Sequence, residues 1–164
     1  MVVSRICYIL CCLSLLLFLL GGYVAARNQE KNDENPPCSS VCSSTPKCGS
    51  SSVPCVVNVK RTGTSASATP KIADAKGNAP FCVTVGTTIT WQSSSKNTGF
   101  ILDFGEETPF GSQKTITGGS KRPISVVVKK KGCFKYTVSA CREGAVSGMC
   151  ESGSAEILVA AGGS

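Results

Sequence analysis

Eleven cysteines and no histidine set most of what this 164-residue chain can do chemically. Without imidazole there is no Ser-His or Cys-His nucleophile pair and no His-ligated zinc or haem. No serine sits in a Gly-x-Ser-x-Gly elbow, and no base is present to activate one. The densest acidic group of the second half is Asp103-Phe-Gly-Glu-Glu107. Its first three letters copy a kinase motif, but the Gly-rich loop and the catalytic segment that give that motif meaning are missing. Asp103, Glu106 and Glu107 could hold Ca²⁺ together with backbone carbonyls. The ligand spacing of a calcium loop is absent, however, and a solvated turn after a strand is the plainer reading. As an acid/base pair the carboxylates would need a pocket and a raised pKa, and nothing in the sequence supplies either. The chain therefore reads as non-catalytic, with no cofactor.

Cys7, Cys11 and Cys12 lie in the first of the chain's distinctive segments. Arg5 is followed by an apolar run from Ile6 to Leu20, a Gly21-Gly22 break, and Tyr23-Val24-Ala25-Ala26. A basic start, a short apolar core and small residues at Val24 and Ala26 form a secretory signal with cleavage before Arg27. The alternative is an uncleaved anchor, since no charge interrupts Ile6 to Ala26, a length that can span a bilayer. Both place the remainder outside the cytoplasm, whether periplasmic, extracellular or membrane-anchored.

The eight cysteines that follow are Cys38, Cys42, Cys48, Cys55, Cys82, Cys133, Cys141 and Cys150. An even number in an exported chain reads as disulfides. Cys141 with Cys150 is the pair to expect first, stapling a Gly/Ser-rich loop; in the chain-entropy model such a closure is worth about 2–3 kcal/mol. Cys38, Cys42 and Cys48 are spaced Cys-x3-Cys-x5-Cys, loose for a metal site, and exported thiols oxidise, so local disulfides are expected there instead. They lie in residues 27–53, a Ser/Cys/Pro-rich stretch with no apolar periodicity, which reads as a disordered, solvated tether.

From residue 54 to 162 short runs of Val, Ile, Thr and aromatics alternate with Gly, Pro, Ser and Asn clusters. Strands are expected at Cys55–Lys60, Phe81–Val85, Thr87–Gln92, Phe100–Phe104, Ile124–Lys129, Cys133–Ala140 and Ala155–Ala160. Phe81, Val83 and Val85 alternate with Cys82 and Thr84, and Phe134, Tyr136 and Val138 with Lys135 and Thr137. No helical period is sustained. About seven strands without helices predict an all-β, Greek-key β-sandwich, with Trp91, Leu102, Phe104 and Phe134 in its core. Gly105–Pro123 reads as a polar surface excursion.

Phe81-Cys-Val-Thr-Val-Gly-Thr-Thr-Ile-Thr-Trp91 resembles the V-x-V-x-x-G-x-x-V-x-W segment of cupredoxin-like, or plastocyanin-like, domains. Gly132-Cys-Phe-Lys-Tyr-Thr-Val138 is similar to that family's G-x-[FY]-x-[YF]-x-C strand, and Glu156-Ile-Leu-Val159 to its closing strand. The resemblance implies a turn at Gly86 and a Trp91 packed between sheets. It also implies a copper site of two His, a Cys thiolate and an axial Met. Here Gln92 and the residues after it hold no first His, Val138 takes the thiolate position, and Cys141 the second His position. A blue-copper site is excluded by composition. Met149 survives, and Cys141, Met149 and Cys150 could form a softer Cu(I) site, against which stands oxidation of the two cysteines to each other.

The formal charge is +7. Lys121, Arg122, Lys129, Lys130 and Lys131 flank one predicted strand and Lys135 follows, a candidate basic patch for an anionic surface. The plainer role is to guard strand ends against aggregation. Nucleic acid is not expected, because aromatics are not interleaved with the lysines, and the membrane is involved only through the N-terminal segment. Two functions follow. One is an exported, non-catalytic binding or scaffold module whose partner is a protein or an anionic envelope component. The other is a Cys/Met-based, Cu(I)-handling envelope protein.

Overall fold

Alternation of buried and exposed side chains governs the strands. In a computed structural model, which describes residues 42–142 and 149–161, nine strands form and no helix is present among the described residues. They are β1 (Cys55–Arg61), β2 (Ala66–Pro70), β3 (Phe81–Thr84), β4 (Thr88–Ser93), β5 (Thr98–Asp103), β6 (Thr115–Gly119), β7 (Ile124–Val127), β8 (Gly132–Arg142) and β9 (Cys150–Ala160). All seven expected strands are present with shifted ends; β2 and β6 are additional. The leader and residues 27–41 lie outside the described residues.

Two sheets result, in the orders β2-β1-β4-β7 and β3-β9-β8-β5-β6. Both are mixed: β1 runs parallel to β4 and β3 parallel to β9, and the other pairs are antiparallel. The inward rows close on one core that includes Val57, Val59, Ile89, Trp91, Leu102, Phe134, Val138 and Ile157, the arrangement two half-apolar sheets require.

The segment expected as a surface excursion is instead partly core. Phe110 is 2% exposed and stands edge-on to Trp91 at 5.4 Å and to Phe104 at 5.2 Å, while Phe104 stacks on Tyr136 at 4.8 Å. Thr115–Gly119 of the same segment is β6, whose Ile116 is buried opposite Leu102. Two apolar residues in a polar run, Phe110 and Ile116, anchor the segment, because their burial outweighs the polarity of their neighbours.

Residues 42–53, read from sequence as part of the tether, are fastened to the domain. Cys42 is bonded to Cys82 and Cys48 to Cys55. The Cys48 N–H donates to Cys82 O at 2.8 Å, and the Cys82 N–H to Pro46 O at 3.0 Å. Lys47 thereby pairs with Cys82 along the open side of β3. Cys82, Leu158 and Cys133 stand in register across the outer face of β3, β9 and β8, and Cys42 covers them in a second apolar cluster. Cys42 therefore pairs at long range rather than within its own local group.

The other outer edge is closed by a side chain. Ala66 and Ala68 turn their backbone groups away from β1 in the antiparallel pattern, and Asn78 meets both: Ala68 N–H donates to its Oδ1 at 2.7 Å and its Nδ2 donates to Ala66 O at 3.0 Å. One amide thus replaces a neighbouring strand.

Candidate functional site

Six basic residues expected to form one patch are dispersed by the strand between them. Lys121 and Arg122 precede β7 and Lys129–Lys131 follow it, so at about 3.3 Å per residue the two groups stand roughly 20 Å apart. In the second group the backbone is held by Pro109, and among the described residues only the Lys130 side chain has charged or aromatic partners. The Lys129 and Lys130 N–H groups donate to Pro109 O, Lys130 Nζ lies 3.8 Å from Glu107, and it sits 5.9 Å from the Phe134 ring centroid. Lys135 lies apart on β8, opposite Glu156.

At the other end of β7 the sheet register assembles a different set. Gly119 and Arg122 exchange backbone hydrogen bonds at 3.0 and 3.1 Å, which turns Lys121 and Arg122 back over the end of β6. Gly99 pairs with Gly119 on one side and Cys141 on the other, and Thr98 with Arg142. The three strands therefore deliver Lys121, Arg122 and Arg142 to one groove of about 310 Å³, with Cys141 and the backbone of Gly99 and Gly118 in its wall. Gly118 is required there: a Cβ would lie 2.5 Å from the Phe100 ring and 2.9 Å from Arg122 O. None of the three cations makes an ion pair among the described residues, and no described lining residue is acidic. Two guanidinium forks and an ammonium around one groove suit oxyanions such as sulfate, phosphate or carboxylate.

Arg142 was not among the residues singled out from sequence. Its adjacency to Cys141 was visible, but its nearness to Lys121 depends on β8, β5 and β6 lying side by side, which no local pattern encodes.

The sulfur chemistry is also placed. Cys141 and Cys150 are directly opposed on β8 and β9 and bonded, as expected, with Cα atoms 4.1 Å apart. As bonded, they offer no thiolate to Cu(I), and Met149 is 47% exposed beside them. Cys133 is also disulfide-bonded, so none of the seven described cysteines is a free thiol. Intramolecular bridges of this number mark an oxidising, non-cytoplasmic environment. Val138, at the thiolate position of the family resemblance, is fully buried in the core, and Gln92 Nε2 donates to Asn58 Oδ1 at 3.0 Å.

The acidic trio diverges. Asp103 Oδ1 accepts from the Gly105 N–H at 3.0 Å, Glu106 pairs with Lys114 at 3.0 Å, and Glu107 faces Lys130. Among the described residues no three His, Cys, Asp or Glu side chains converge as a metal site would require.

Among the described residues, the one strongly displaced titratable group is in the core. Burial pushes the Tyr136 hydroxyl far above its ordinary range, opposed slightly by the nearby Trp91 indole. The two groups approach without hydrogen-bonding geometry, and Trp91 Nε1 and Tyr136 OH each lack a partner.

No protein-family model, no curated protein and no solved structure matches this chain.

Proposed function

We propose that this chain is an exported, non-catalytic binding module whose ligand is an anionic polysaccharide of the cell envelope. Its scaffold is a Greek-key, cupredoxin-like sandwich without a blue-copper site, released after cleavage before Arg27 or held by the leader. The observation that carries the reading is the groove in which Lys121, Arg122 and Arg142 converge without an acidic partner among the described residues. Cations left unpaired around one concavity raise the local concentration of polyanions and orient them. The groove is lined by β5, β6 and β8 of one sheet and by the turn that follows β6, and the far edge of that sheet is covered at β3 by the Cys42–Cys48 segment, a rigid support for a binding surface.

Dextran sulfate and neutral dextran are suitable probes, read by titration calorimetry. Binding of dextran sulfate that weakens with salt, with no binding of the neutral polymer, is expected. Replacing Lys121, Arg122 and Arg142 by Gln lowers that affinity on the order of tenfold or more, while replacing Lys129, Lys130 and Lys131 changes it little. Equal losses from the two triple variants would refute the groove as the site. Binding to anionic vesicles but not to dextran sulfate would reassign the ligand to a lipid surface.

A further inference from the structure

The three described bridges are not equivalent. Cys42, Cys48, Cys55 and Cys82 are 4%, 2%, 1% and 1% exposed. Cys150 is exposed, Cys141 is half-buried, and the Cys141 side of the bond forms part of the groove that holds Lys121, Arg122 and Arg142. We propose that Cys150 is a site of reversible S-thiolation by a small anionic thiol.

The exchange follows from which residue of the bridge lines the groove and which is exposed. An attacking thiolate, RS⁻, approaches the Cys150 Sγ from solvent. An RS–Sγ bond forms to Cys150, the Cys150–Cys141 bond breaks, and the electron pair leaves on Cys141 as thiolate. No external oxidant or reductant is consumed; one disulfide is exchanged for another. The rate of such a step rises as the leaving thiol becomes more acidic, and neighbouring cations lower a thiol's pKa. Cys141 is the residue of the pair that lines the groove with the two arginines and the lysine. The same field draws the attacking thiolate toward the bond, and more strongly when that thiolate carries further negative charge. Reversal is built in, because β8 and β9 hold Cys141 and Cys150 at opposed positions of one ladder, so the Cys141 thiolate remains beside the mixed disulfide and can expel RS⁻. The inference shares the groove with the polysaccharide reading but not its ligand, so each can fail alone.

The test treats the folded, oxidised protein with limiting glutathione, which carries net negative charge, and in parallel with neutral β-mercaptoethanol at equal thiolate concentration. After alkylation, peptides are mapped by mass spectrometry. With glutathione, Cys141–Cys150 opens on the order of tenfold or more faster than Cys42–Cys82 or Cys48–Cys55, and the adduct is on Cys150. Salt near 1 M, where screening extends only about 3 Å, slows both reactions, that of glutathione severalfold more than that of β-mercaptoethanol. Arg142→Gln with Lys121→Gln has the same effect; the salt arm needs no variant and stands if that protein folds poorly. An adduct mainly on Cys141, opening of a buried bridge first, or the same salt dependence for both thiols would overturn the proposal.

Discussion

Replacing Phe110 with alanine separates a surface loop from a core anchor. A loop residue that touches nothing changes stability by within about 0.5 kcal/mol. Phe110 is 2% exposed and meets both Trp91 and Phe104 edge-on. Truncating a buried Phe costs about 3–5 kcal/mol through lost transfer energy and the cavity left behind. Of that, each edge-to-face pair accounts for about 0.5–1.5 kcal/mol. The domain has a total stability of only about 5–15 kcal/mol, so the loss is a large fraction of it. Urea unfolding of the oxidised protein, followed by far-UV circular dichroism, measures it directly. With a slope of about 1–3 kcal/mol per molar urea, the midpoint falls by more than about 1 M while the slope stays constant. Thermal unfolding falls by roughly 10–20 °C. Trp91 emission is a poor primary probe, because Phe110 touches that ring and the substitution alters it in the native state. Ser112→Ala, two residues on and exposed, is the control and stays within about 0.5 kcal/mol. A Phe110→Ala cost below about 1 kcal/mol would refute the packing of this segment, and with it the position of β6.

Burial raises the Tyr136 pKa above its unfolded value near 10, so the fold favours the neutral phenol. That contribution is complete below about pH 10 and is lost above it at up to about 1.4 kcal/mol per pH unit. Tyr8 and Tyr23 precede Arg27, so in a chain starting there absorbance at 295 nm reports Tyr136 alone. No phenolate should form near pH 10 while the protein stays folded, and native-state titration there would contradict the burial. Gly153→Ala would press a methyl against the Ala66 carbonyl and to within 2.8 Å of Asn78 Nδ2; it should cost about 1–3 kcal/mol by overpacking, and thermal unfolding at unchanged secondary structure reads the loss. Non-reducing peptide mapping of the chain from Arg27 should recover Cys42–Cys82, Cys48–Cys55 and Cys141–Cys150. Cys133 is bonded as well; a Cys133 that alkylates without reduction would contradict this.

The alternating elements were legible because a strand buried on one face writes its period of two into the sequence. Val57 and Val59 of β1, Ile89 and Trp91 of β4, and Phe134, Tyr136 and Val138 of β8 are all inward and all buried. β2 was not legible. Ala-Ser-Ala-Thr-Pro carries neither β-branched bulk at its inward positions nor any aromatic residue, and it is a strand because β1 pairs with it and Asn78 closes its other side. β6 was hidden for a related reason: Thr-Ile-Thr-Gly-Gly ends in two glycines inside a polar run, and only Ile116 signals a core. Cys141–Cys150 could be foreseen because its partners close a short loop. Cys42–Cys82 spans 40 residues and depends on β3 lying beneath the N-terminal segment, which is tertiary information.

The groove belongs to this second class. Its cations come from the turn before β7 and the last residue of β8, and only the β6-β5-β8 order brings them together. A run such as Lys129-Lys130-Lys131 is conspicuous in sequence yet is partly spent on Glu107, Phe134 and the Pro109 carbonyl, whereas Arg142 is inconspicuous and unpaired among the described residues. The sulfur follows the same logic. Bridges sealed in the interior hold the N-terminal segment over β3, where hydrogen bonds alone would leave a short stretch free to peel away. The bridge at the groove instead joins strands that already share a long ladder. Of the three described bridges it is the one that is not buried, so it is the one that chemistry at the surface can reach.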